Sequence, residues 1–78
     1  HEERFMSLLV EKRARSAELI DRSLREFDLP NGCLVAMVDR DGDMIIPHGN
    51  TVLREGDRLT IVGVPASITE MRNQYQPL

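Results

Sequence analysis

Two histidines, one cysteine and a run of aspartates are the residues of this chain with the most chemical reach. His48 precedes a glycine in His48-Gly49-Asn50, which reads as a loop. An imidazole there can touch a ligand or respond to pH near neutrality, and a solvated loop side chain is the plainer reading. His1 is the only other histidine, and Cys33 is the only cysteine, so the chain cannot form an internal disulfide. Cys33 opens an apolar run and reads as a small buried hydrophobe rather than a reactive thiol. Asp39-Arg40-Asp41-Gly42-Asp43 has the acidic density of a calcium loop. Its glycine stands fourth where such a loop needs it sixth, and no glutamate stands twelfth. A tight hairpin turn accounts for this segment better.

No catalytic constellation emerges. The chain has no Gly-x-Ser-x-Gly elbow, no phosphate-cradling glycine loop and no His-Glu-x-x-His pair. Its carboxylates sit in turns and charged flanks and are not interleaved with a candidate pocket. No His/Cys group has structural-zinc spacing. A net charge of −3 with both signs interspersed lacks the basic face of a nucleic-acid binder. With Phe5, Phe27 and Tyr75 as the only aromatics, there is no stacking platform for single strands. No apolar stretch approaches the roughly 20 residues that span a bilayer. These readings favour an interaction module over an enzyme.

The elements that must position these residues follow from pattern and punctuation. Phe5 to Val10 reads as a strand. Lys12 to Ser16 is a break, with Ser16 as an N-cap, and Leu19, Ile20, Leu24 and Phe27 form the apolar stripe of a first helix. Pro30-Asn31-Gly32 ends it. Cys33 to Val38 is a nearly unbroken apolar run, expected to be a central strand covered on both faces. Asp41-Gly42 predicts a two-residue hairpin turn, with Met44-Ile45-Ile46 as the returning strand and Pro47 as its stop. Thr51 to Leu53 is a short extended piece, Glu55-Gly56-Asp57 a turn, and Arg58 to Val62 an alternating strand. Pro65 suits the first turn of a final helix with Ile68, Met71 and Tyr75 inside, and Ser67-x-x-Glu70 could form a capping box. Residues 76–78 trail off. The expectation is one α+β domain over residues 1–78, with 1–15 an N-terminal strand and linker and 16–78 the core. It holds a mostly antiparallel sheet of about four short strands with two helices, in the order β-α-β-β-β-α. A chain of 78 residues without disulfide or metal often leans on a second copy for stability.

The order of these signals resembles the TrkA-C (RCK-C) domain, a regulatory module of potassium channels, uptake systems and antiporters. The resemblance runs from about Ser16 to Met71. A serine opens the first helix, which ends in Phe27-Asp28-Leu29-Pro30. A strand from Leu34 ends near Arg40 and Gly42. Ile45-Ile46-Pro47 closes the next strand, and Thr51-x-Leu53-x-x-Gly56-Asp57-x-Leu59 leads into Val62-Gly63. One departure stands out: many members carry a glycine where this chain has Asp21, and a proline where it has Ala17.

The resemblance implies a non-catalytic cytoplasmic domain, held near the inner membrane by the transport protein to which it belongs. It implies a homodimer, with a membrane transport domain as its partner. In some members a small nucleotide, cyclic di-AMP, binds in the dimer cleft. The positions that match such a site are Ile20, Arg22 or Arg25, Leu34, Pro47 and His48. An arginine from each subunit would suit a phosphodiester, because guanidinium offers paired, permanently charged donors. A plain homodimerisation module that binds no small ligand remains the alternative, and a solvated surface is the simplest role for Arg22 and Arg25.

Overall fold

The computed structural model describes residues 3–75; His1 and the expected trailing end at 76–78 lie outside the described residues. Four strands form one antiparallel sheet: β1 (Phe5–Leu9), β2 (Cys33–Arg40), β3 (Asp43–Ile45) and β4 (Arg58–Gly63), in the spatial order β1-β4-β2-β3. One helix, α1 (Pro65–Tyr75), follows β4. It lays Ile68, Met71 and Tyr75 against one face of the sheet, where Met6, Leu8, Val38, Leu59 and Ile61 are buried. The α+β class and the antiparallel sheet are as the sequence predicts.

The β2–β3 hairpin forms where Asp41-Gly42 predicts it. Both residues have positive φ, 51° and 85°, and Arg40 pairs with Asp43 across the two-residue loop. The Gly42 amide also donates to Asp39 Oδ1 at 3.1 Å. Strand β3 stops at Ile45, so Ile46 lies beyond it and is exposed.

The first helix is not formed. Two 3-10 turns, Arg15–Leu19 and Leu24–Glu26, replace it. Between them Ile20 is extended and Asp21 takes φ of 67°. The amides that a helix would turn inward go to a loop instead. Asp21 N donates to Leu53 O (2.8 Å), Leu24 N to Thr51 O (2.9 Å) and Arg25 N to Gly49 O (2.9 Å), and Leu53 N returns to Arg22 O (2.8 Å). This short ladder satisfies the backbone through a distant segment, and it takes over the role of the expected extended piece at 51–53. Leu19 and Phe27 are buried by either arrangement.

Ser16 does not cap a helix. It is buried; its hydroxyl donates to Leu9 O at 2.7 Å and accepts from Glu11 N at 3.1 Å, closing the bend after β1. Ser67 likewise forms no box with Glu70: its hydroxyl donates to Asn31 O, fastening α1 to the turn before β2. A box does form at Ser23, whose amide and hydroxyl both reach Glu26 Oε1 at 3.0 Å.

The expectation that β2 is covered on both faces is also corrected. It is an inner strand, yet only its Val35 and Val38 side reaches the core. A bulge between Val35 and Met37 adjusts the register. On the other side Leu34 is 55% exposed and Phe5 67%, joined by Val62 in one row across β2, β4 and β1. A continuous apolar run conceals this, because neighbouring strand residues point to opposite faces whatever their type.

Candidate functional site

The six residues expected at a ligand site do not gather in one place. Pro47 and His48 do, lining a hollow of about 190 Å³ with Leu24, Leu29 and Val35. Arg25 follows Leu24, and its guanidinium packs over Gly49, the residue after His48. A methyl group on Gly49 would sit 3.1 Å from Arg25 Nη2, so the absence of a side chain there admits the guanidinium. Among the described residues no hydrogen bond or ion pair occupies that guanidinium. Ile20 packs against the core. Leu34 lies on the open face of the sheet, opposite Val35.

Arg22 faces a different hollow. This one is larger, about 380 Å³, and its wall carries Glu18, Glu26, Asp28 and Glu70 against the single cation Arg22, which lies 3.8 Å from Glu26. Its floor includes Phe27 and Tyr75, packed edge to face at 5.9 Å, and the Tyr75 hydroxyl donates to Glu18 Oε1 at 2.8 Å. Burial, and then the Glu18 hydrogen bond, push the Tyr75 phenol well above its usual range. Size alone would favour this hollow as an anion site, and its charge opposes that. Four carboxylates repel a phosphate, whereas no carboxylate lines the smaller hollow.

The loop that carries Pro47 and His48 is internally fixed. His48 N donates to Thr51 Oγ1 at 3.0 Å and Thr51 N returns to His48 O at 3.0 Å. The Asn50 amide donates to His48 Nδ1 at 3.2 Å. Nδ1 is therefore an acceptor, and in the neutral ring the proton sits on Nε2, free to donate.

Behind the loop stands a buried ion pair. Asp57 has no exposed surface; its carboxylate takes Arg40 Nε at 2.9 Å and Arg40 Nη2 at 2.8 Å, and the Arg54 amide at 2.9 Å. Arg40 Nη2 also donates to Val52 O at 2.9 Å. Burial pushes the Asp57 carboxyl up, but the Arg40 and Arg54 hydrogen bonds and their two charges outweigh it and hold it below the ordinary carboxylate range.

Sequence reasoning missed Leu24, Leu29 and Val35 as neighbours of His48, and the seat that Gly49 gives Arg25. The signal available was thin: two leucines flanking a turn and a glycine beside a histidine. Half-buried Cys33 donates to Pro30 O at 3.4 Å, and burial raises its thiol further. Among the described residues no group of three or more His, Cys, Asp or Glu is placed to hold a metal ion, and no helix is long and apolar enough to cross a membrane.

The model of the TrkA-C domain matches residues 11–76. The chain belongs to the TrkA-C family. Relatives of this TrkA-C chain include the Trk system potassium uptake protein TrkA homolog 2 of Methanosarcina mazei, 28% identical over 73% of this chain and 13% of the relative. The putative Na(+)/H(+) antiporter YjbQ of Bacillus subtilis is 39% identical over 68% of this chain and 9% of its own length. The chain thus spans a small part of these relatives. Two solved structures share the fold. One is described as an RCK domain with cda, at TM-score 0.75 and 23% identity over 95% of this chain and all of that one. The other is an RCK_C domain dimer of S. agalactiae BusR in complex with c-di-AMP, at TM-score 0.68 and 17% identity over 92% of this chain and 95% of that one.

Proposed function

We propose that this chain is a non-catalytic regulatory domain of a potassium or other ion transport protein, acting in the cytoplasm as a homodimer that senses a small anionic nucleotide such as cyclic di-AMP. The observation that carries this is an uncommitted Arg25 guanidinium packed over Gly49, next in the chain to His48, which lines an apolar hollow without carboxylates and keeps Nε2 free to donate. Apolar walls suit a purine face, and a free guanidinium suits a phosphodiester. The hollow, about 190 Å³, is smaller than the roughly 300–1,000 Å³ typical of small-molecule pockets. One copy therefore offers half a site, and a second copy would complete it. The RCK_C dimer with c-di-AMP and the transport relatives support the same reading. Regulation then follows from linkage: the ligand biases the attached transport domain only by the difference in its affinity for two arrangements of the pair.

Calorimetry with cyclic di-AMP and other cyclic dinucleotides tests the sensing role, and sedimentation at micromolar concentration tests the pairing. Saturable binding at one nucleotide per two chains is expected. A monomer that ignores the whole panel sinks the reading. A dimer that ignores the panel supports the second one, a plain homodimerisation module, which the exposed Phe5–Val62–Leu34 row favours.

A further inference from the structure

The ligand-facing residues and the buried ion pair are joined by an unbroken series of contacts. Arg25 and His48 belong to two segments, 21–25 and 48–53, that hold each other through four backbone hydrogen bonds of 2.8 to 2.9 Å. Neither segment is part of the main sheet; Ser23 and Val52 meet only as an isolated bridge. This small ladder needs an anchor, since two short strands with no third are marginal in water. Arg40 supplies one. It stands at the end of β2, grips Asp57 with two nitrogens, and with Nη2 also holds the Val52 carbonyl. Val52 sits in the middle of the ladder, so one guanidinium fastens it to the sheet at the carbonyl nearest the bridge.

We propose that Arg40 is a positioning residue for the ligand site: it fixes the 48–53 loop through Val52 and so sets where Arg25 and His48 stand. The role depends on arginine rather than on positive charge. A planar guanidinium can satisfy a carboxylate with two donors and still spend another on a carbonyl. A lysine ammonium is a point charge that keeps the pairing with Asp57 and cannot hold the same fork. This inference rests on the ligand reading for its consequence, while its structural part stands apart from it.

The experiment compares the wild type, Arg40→Lys and Arg40→Gln by amide hydrogen exchange and by calorimetry with cyclic di-AMP. In Arg40→Lys the amides of Asp21, Leu24, Arg25 and Leu53 are expected to lose at least tenfold in protection while the β4 amides keep theirs. Affinity for the nucleotide should fall at least tenfold, and adding Arg25→Ala should cost less in the variant than in the wild type, because both changes act through the same guanidinium. Ladder amides that keep wild-type protection overturn the proposal, and so does full affinity with a loosened ladder. If the wild type binds no nucleotide, the ligand reading fails and the exchange result alone decides whether Arg40 holds the loop. If both variants unfold, the wild type decides. The four ladder amides should then be protected within tenfold of β4, and opening faster than that refutes the anchor.

Discussion

Arg40 meets Asp57 through two parallel contacts, Nε to Oδ1 at 2.9 Å and Nη2 to Oδ2 at 2.8 Å, although Arg40 ends β2 and Asp57 lies just before β4. Because Asp57 is fully buried, removing Arg40 leaves its charge without the partner that holds it. Arg40→Ala should cost about 3–5 kcal/mol, the usual loss when a buried charge is stripped of its partner. Urea unfolding at pH 7 measures it.

The same carboxylate gives an acid limb. Its folded pKa lies below the ordinary value, so its contribution is complete above the unfolded pKa of about 4 and is lost as pH falls through the lower folded value. Stability measured from pH 6 down to pH 2 should decline with a slope that Asp57→Asn flattens. An unchanged slope in that variant would contradict the assignment.

Tyr75 sets the opposite limb. Its folded pKa is raised by burial and by Glu18. The stabilisation is therefore complete below the unfolded value of about 10 and is lost as pH rises above it. Tyr75→Phe should remove most of that alkaline slope and cost about 1 kcal/mol at neutral pH through the lost hydrogen bond to Glu18. Thermal melts at pH 7 and pH 10.5 test both.

Asp21 occupies backbone space that suits glycine, with φ of 67°. Asp21→Gly should stabilise the fold by about 0.5–1 kcal/mol, since the left-handed conformation carries a penalty for any residue with a β-carbon. Asp21→Ala should move the midpoint in the opposite direction. Equal midpoints for the two variants would show that this backbone position is not strained.

The two candidate arginines separate cleanly. Arg25→Ala removes the free guanidinium over Gly49 and should lower nucleotide affinity more than tenfold. Arg22→Ala, in the acidic hollow beside Glu26, should change it less than twofold. Gly49→Ala should fall between them, because its methyl group presses Arg25 aside by a few tenths of an ångström. Calorimetry orders the three.

Local chemistry was legible and remote partnership was not. Asp41-Gly42 announces its hairpin because the turn depends only on those two residues and their flanks. The stripe of Ile68, Met71 and Tyr75 announces α1 for the same reason. Residues 16–27 carry an equally helical stripe, yet the amides of Asp21, Leu24 and Arg25 are taken by carbonyls at 49–53, and no periodicity within the segment can report that. Asp57 looks like one more turn residue until Arg40 is found against it. Pro47, His48 and Arg25 come near one another, whereas Ile20, Leu34 and Arg22 stand apart from them, because facing direction depends on register and on backbone that is not helical here.

The ladder between 21–25 and 49–53 also has a consequence for synthesis. A chain emerging from the ribosome presents Arg25 long before the carbonyls that will orient it, and Asp57 later still. On the proposed reading, nucleotide recognition awaits synthesis through Asp57, so a product cut short before β4 lacks the anchored ladder.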